Sequence, residues 1–236
     1  MSLTEISEFF DAYGLLIVFV LAFAFIIWYL IGSWINLKIM RRYARILEEH
    51  LKPRGISVKY RKISGGRGFR ALCLIGDDRR FERVEVAINL ADRDNAMHYP
   101  LVPIMRDRDR MICWAFLREK PYCAVEIASK SAAKAIQREF RRSPEKYGDF
   151  KMFFIDSEFD REYKVFAKTE RYLHAVFPVK IRKDLLDMRR HIRNLSVNED
   201  QSFLRLSATA KDETIPRVLD FIWDLGNTAA PRSTKT

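Results

Sequence analysis

The sequence predicts an α+β protein carried on a single N-terminal transmembrane helix, and three observations lead there. Residues 14–35, GLLIVFVLAFAFIIWYLIGSWI, form a run of 22 without a charge. Behind it, short segments with apolar residues at period two alternate with segments where they recur at three and four. The chain is also strongly basic. It carries +11 over 236 residues, and Glu5, Glu8 and Asp11 are the only charges before Lys38, so everything after the run carries +14.

Residues 1–13 read as an extracytoplasmic tail and 14–35 as the transmembrane helix. Fourteen of those 22 residues are Leu, Ile, Val or Phe, each contributing roughly −0.3 to −0.6 kcal/mol to insertion. The length, about 33 Å of helix, matches a hydrocarbon core of about 30 Å. Tyr13, Tyr29 and Trp34 stand near its edges, where amphipathic rings prefer to sit. The other reading of such a run is a buried core helix. The basic cluster Lys38, Arg41, Arg42 and Arg45 follows directly, and by the positive-inside rule it keeps the C-terminal side in the cytoplasm. The expected location is therefore the cell membrane (the endoplasmic reticulum in a eukaryote), single-pass, N-terminus outside. No ionisable residue lies within the span, so no ion path is expected. The small residues Gly32 and Ser33 would allow close approach of another helix.

Residues 36–55 continue as a juxtamembrane helix. Ile39, Tyr43, Ile46 or Leu47, and Leu51 share one stripe, Arg41, Arg45 and Glu48 the other side, and Pro53 and Gly55 stop it. A first α+β block, 56–148, holds strands at 56–62, 69–75, 83–90, 110–118 and 122–128. A helix then runs to Arg142, with Ala132, Ala135 or Ile136, and Phe140 inward. The stretch 143–149 is the internal boundary. A second block, 149–226, holds a strand at 162–167, helices at 169–176 and 179–192, strands at 195–197 and 203–207, and a helix at 214–225. Pro216 fits the first turn of that last helix and Gly226 its stop. Residues 227–236 read as a disordered tail.

The chemistry-bearing residues are mostly basic. Arg61, Lys62, Arg67 and Arg70 surround a glycine-rich turn, Ser64-Gly65-Gly66, whose backbone N–H groups could approach RNA or lipid phosphate. It lacks the Walker spacing and has no helix after it. Arg182, Lys183, Arg189, Arg190 and Arg193 fall on the polar face of the helix expected at 179–192. Arg106-Asp107-Arg108-Asp109-Arg110 alternates in sign and reads as a solvated connector. Asp92, Asp94 and Asn95 start like a calcium loop but lack its glycine and distal glutamate. Cys73, Cys113 and Cys123 read as reduced cytoplasmic thiols. The pattern contains no metal-ligand spacing, no nucleophile setting and no cofactor fingerprint, so no cofactor is expected and the chain is not read as an enzyme.

One segment, Tyr29-Leu30-Ile31-Gly32 with Asn36, runs from the span into a basic helix. An Ile104-Met105-Arg106 turn then precedes two strands and a helix over 111–140, and a second α/β block closes the chain. This order resembles the calumin family, the coiled-coil-domain-containing protein 47 group, in a short prokaryotic or archaeal form. The second block, with Asp156-Ser157-Glu158-Phe159 and Phe177-Pro178, also resembles bacterial membrane-anchored domains of unknown function. Calumin membership would imply an accessory factor of membrane-protein insertion or folding, placed beside the Sec translocon and the ribosome and assisting nascent multipass proteins. The family's long acidic segment is reduced here to Glu5, Glu8 and Asp11, so calcium binding is not implied. Its charged C-terminal coiled coil has no counterpart here, so a ribosome contact made by that tail is not implied. The alternative is a membrane-surface scaffold that binds anionic lipid or a protein partner and never meets a ribosome.

Overall fold

The computed structural model describes residues 3–63, 67–76, 80–97 and 108–230. One helix, α1 (Leu3–Leu51), contains both the apolar run and the basic segment after it. Its middle is exposed on every side: Leu15, Phe19, Phe23 and Leu30 are all more than half exposed. The most apolar stretch is 0% buried, which removes the core-helix reading. This one helix is long and apolar enough to cross a membrane.

From Asn36 onward the same helix is half buried. Tyr43, Leu47 and Leu51, spaced by four, enter the core, while Arg41, Arg45 and Glu48 stay outside, as the stripe predicts. A 3₁₀ turn at Lys52–Arg54 closes on Gly55, whose φ of 69° suits a residue without Cβ.

Among the described residues nine strands follow, in one antiparallel sheet. They are β1 (Ser57–Lys62), β2 (Gly68–Leu74), β3 (Phe81–Asn89), β4 (Arg110–Leu117), β5 (Val125–Ser129), β6 (Lys151–Phe153), β7 (Tyr163–Ala167), β8 (Ile192–Asn198) and β9 (Phe203–Thr209). Their spatial order is β1-β2-β3-β4-β9-β8-β5-β7-β6. Strands on the two sides of residue 149 are therefore interleaved: β4 pairs with β9, and β5 lies between β7 and β8.

The helices are α2 (Lys130–Arg142), α3 (Pro144–Tyr147), α4 (Phe159–Glu162), α5 (Leu173–Val176), α6 (Val179–Asp187) and α7 (Thr214–Ala229). The buried half of α1, with α6 and α7, covers one sheet face, where Val84, Val86, Met111, Cys113, Leu204 and Leu206 point inward. On the opposite face α2 covers the β8–β5–β7 end, burying Ala132, Ala133 and Ile136 against Ala128 and Phe166.

Four sequence expectations change. The helix expected at 179–192 ends at Asp187, and Ile192 instead opens β8 opposite Ala208, because sheet pairing overrides the helical spacing of Met188 and Ile192. The helix expected at 169–176 shrinks to Leu173–Val176. The strand β6 and the turn of helix α4 have no counterpart in the sequence reading. Gly226 does not stop the last helix, which runs on to Ala229 and takes in the start of the expected tail. A Cβ at 226 would collide with the buried ring of Phe81, so this glycine exists for close packing.

Candidate functional site at the stem end of the sheet

Where the apolar half of α1 leaves the fold, the chain makes a polar seam against the helix. Asp109, 6% exposed, accepts two guanidinium bonds from Arg93 at 2.8 and 3.0 Å and the Ala91 N–H at 2.8 Å. Tyr43 on α1 donates to the same carboxylate at 3.2 Å and to the Ala210 carbonyl at 3.1 Å. Burial, helped by the Asp109 charge, pushes the Tyr43 hydroxyl up to about 12, so it remains a donor at neutral pH. Asn36 completes the seam by donating to the Ala91 carbonyl and accepting from Arg93. Asp109 is thus a buried hub and not part of a solvated connector. Residues 98–107, including the Ile104-Met105-Arg106 turn, lie outside the described residues.

The loop after Ala91 then runs back along the helix. A Cβ on Gly32 would overlap the backbone of Arg93 and Asp94, so this glycine seats the chain's own loop. Farther along, Phe25 shares a shallow pocket with Arg67, Asp94, Ala96 and Met97. The end of the apolar run is therefore partly covered by the domain. Replacing Gly32 with leucine is expected to lift this loop, raising hydrogen exchange at the Ala91 and Arg93 amides by at least tenfold. Unchanged exchange would show that the loop does not depend on the seat.

Register lines up one row of strand ends on this side. Lys62 lies opposite Phe69, Gly68 opposite Asn89, Asn89 opposite Arg110, Arg110 opposite Thr209, and Ile192 opposite Ala208. The sequence-predicted basic residues divide accordingly. Arg61 and Lys62 end β1, Arg67 precedes β2, Arg189 and Arg190 form the turn before β8, and Arg193 lies on β8. These groups, expected on a loop and on one helix face, belong to this one row. Arg182 and Lys183 do not: both sit in α6, where Arg182 pairs with Asp156 at 3.1 Å and donates to the Phe177 carbonyl. Arg70 points from β2 toward the ring of Trp114.

Charge pairing decides which cations are available. Arg67 faces Asp92 at 2.9 Å and Asp94 at 3.1 Å, the two acids that resembled a calcium loop. Arg42 pairs with Asp212, and Lys211 with Glu213. Arg61, Lys62, Arg190 and Arg193 are exposed and make no ion pair among the described residues. Asp187, the last residue of α6, is exposed as well. On α1 a second row, Trp34, Lys38, Arg41 and Arg45, follows helical spacing on the exposed side. Lys38 rests over the Trp34 ring at 5.3 Å. The sequence showed the cations of the row but not the acids that neutralise Arg67, because those approach only through the β2–β3 pairing.

At the other end of the sheet an open groove of about 800 Å³ runs past Arg54, Ile75, Arg80 and Trp223. Its polar groups already serve one another: Arg54 and His50 share Asp220, and Arg80 donates to Asn227.

No protein-family description matches the chain, and no curated protein does. Among solved structures, the chain is similar to the crystal structure of the mycobacterial trehalose monomycolate transport factor A. That likeness has a TM-score of 0.41 and 10% identity, and covers 82% of this chain and 99% of that one.

Proposed function

We propose that this chain is a non-enzymatic, membrane-anchored accessory protein whose basic domain lies against the anionic face of the bilayer. The observation that carries the reading is one of direction. The apolar helix and the exposed cations Arg61, Lys62, Arg190 and Arg193 belong to the same end of the sheet. A domain fixed to its own anchor through Asn36 and Tyr43 has no flexible tether, so that row stays at the level where the helix enters lipid. Basic groups near an anionic surface each contribute about 1 kcal/mol. Trp34 with Lys38, Arg41 and Arg45 adds an interfacial ring and three more cations beside the headgroups. The domain faces the cytoplasm in this reading, by the positive-inside rule.

A second reading, an insertion factor beside the Sec translocon and ribosome, draws on the calumin resemblance. Two of the residues that carry that resemblance, Gly32 and Asn36, are the ones that seat the domain's loop on the helix.

Limited trypsin digestion of the full chain in nanodiscs tests the first reading. With anionic phosphatidylglycerol in the disc, cleavage after Arg61, Lys62 and Arg190 should be at least tenfold slower than in a purely zwitterionic disc. Raised salt should abolish the difference, and cleavage after Arg54 at the other end should not change. Equal rates in both discs would sink the docking reading. Co-sedimentation of the same discs with purified ribosomes would favour the insertion factor instead.

A further inference from the structure

The sheet face that α2 leaves partly open carries a second feature, which shares only Arg193 with the docking row. Between α2 and strands β4, β9 and β8 lies a cleft of about 290 Å³. Three arginines line it from three adjacent strands: Arg110 on β4, Arg205 on β9 and Arg193 on β8. Arg205 is the informative one. Its cross-strand neighbours are Trp114 and Ser196, its Nε is sealed from solvent, and that N–H has no hydrogen-bond partner. The carboxylate of Glu126, on the same cleft, accepts the Ser196 hydroxyl at 2.6 Å among its contacts. A buried donor on a charged group is costly to leave unmet. A guanidinium fork is also the side chain best shaped to take two oxygens of one phosphate.

The remaining lining narrows the ligand. Glu126 and Glu139 also border the cleft, and a bare anion would be repelled by them. A ligand whose phosphate faces the arginines and whose hydroxyls face the carboxylates satisfies both. The volume lies at the low edge of small-ligand sites, about 300–1,000 Å³, which suits a headgroup and excludes a whole lipid. We propose that the cleft between α2 and β4–β9–β8 binds a phosphorylated polyol, with Arg205 and Arg193 holding the phosphate. The same chemistry occurs in a soluble polyol phosphate and in the headgroup of an anionic glycerophospholipid.

Calorimetric titration of the full chain in an uncharged detergent separates these sources. One arm uses glycerol 3-phosphate, the other a short-chain phosphatidylglycerol below its micelle concentration. At least one should bind, and Arg205→Met and Arg193→Gln should each weaken binding at least tenfold, while Lys59→Gln, at an exposed position on β1, leaves it unchanged. Binding of the monoester alone assigns a soluble ligand; binding of the short-chain lipid assigns the headgroup. Without ligand, Arg205→Met should unfold at the same or a higher temperature, since it removes the unmet donor. Should that variant not fold, Arg193→Gln, altered at an exposed position, decides the matter alone. Binding of neither probe, or binding indifferent to the folded arginine variants, overturns the proposal. Neither outcome depends on whether the rim docks on a bilayer.

Discussion

Asp109→Ala is expected to lower folding stability by about 3–5 kcal/mol, the range for removing one partner of a buried ion pair. The carboxylate serves four donors at once, two on Arg93, the Ala91 amide and the Tyr43 hydroxyl. Its loss strands the Arg93 charge, whose side chain is 18% exposed. In a domain of this size the thermal midpoint should fall by roughly 6–20 °C. The double variant Asp109→Ala/Arg93→Ala should recover part of that loss, because no charge is then left without a partner. Denaturant unfolding of the three proteins measures this directly. A loss below about 1 kcal/mol for Asp109→Ala would mean that water screens the pair and that the seam contributes little.

The second large effect is expected at Gly226. Alanine there should gain about 1 kcal/mol from helix propensity. The collision with Phe81 opposes that gain, because overpacking a well-filled core costs about 1–3 kcal/mol and sometimes more. Phe81 is fully buried and lies 5.5 Å from the Trp223 ring, so its ring has no room to withdraw. Gly226→Ala should therefore destabilise despite the better helix former, and Gly226→Val more strongly. Pairing Gly226→Ala with Phe81→Leu should cost less than the sum of the two single changes, a coupling readable in a double-mutant cycle. If Gly226→Ala proved stabilising, the glycine would be a helix defect after all.

These two sites also mark where the sequence could and could not be read. The stripe of Tyr43, Leu47 and Leu51 was legible because one helix face meets one core, and β4 because it alternates over all its eight residues. The three-residue strand β6 is too short to alternate. Met188 and Ile192 kept helical spacing across a helix end, since period alone does not reveal where a strand will capture the chain. Asp109 looked like one charge in an alternating run because its partners Arg93 and Tyr43 are 16 and 66 residues away. Strand order was equally hidden. Nothing local tells β5 that it will lie between two strands from the other half of the chain. The candidate site follows the same rule: its cations were visible singly, while their common row and the neutralised state of Arg67 are properties of the sheet.

The three cysteines give this protein a reporter of its own breathing. Cys73 and Cys113 are fully buried and Cys123 nearly so. Burial pushes the Cys73 thiol up to about 12 and Cys123 to about 11, and it raises Cys113 as well. A neutral, enclosed thiol does not react with a maleimide, so labelling must wait for the chain to open. Cys73 belongs to β2, Cys113 to β4, and Cys123 precedes β5, so mass-resolved labelling distinguishes fraying of the sheet edge from opening of its centre. The apolar half of the stem contains no cysteine. A membrane-permeant maleimide would therefore clock the domain alone in intact cells, with no tag or engineered probe.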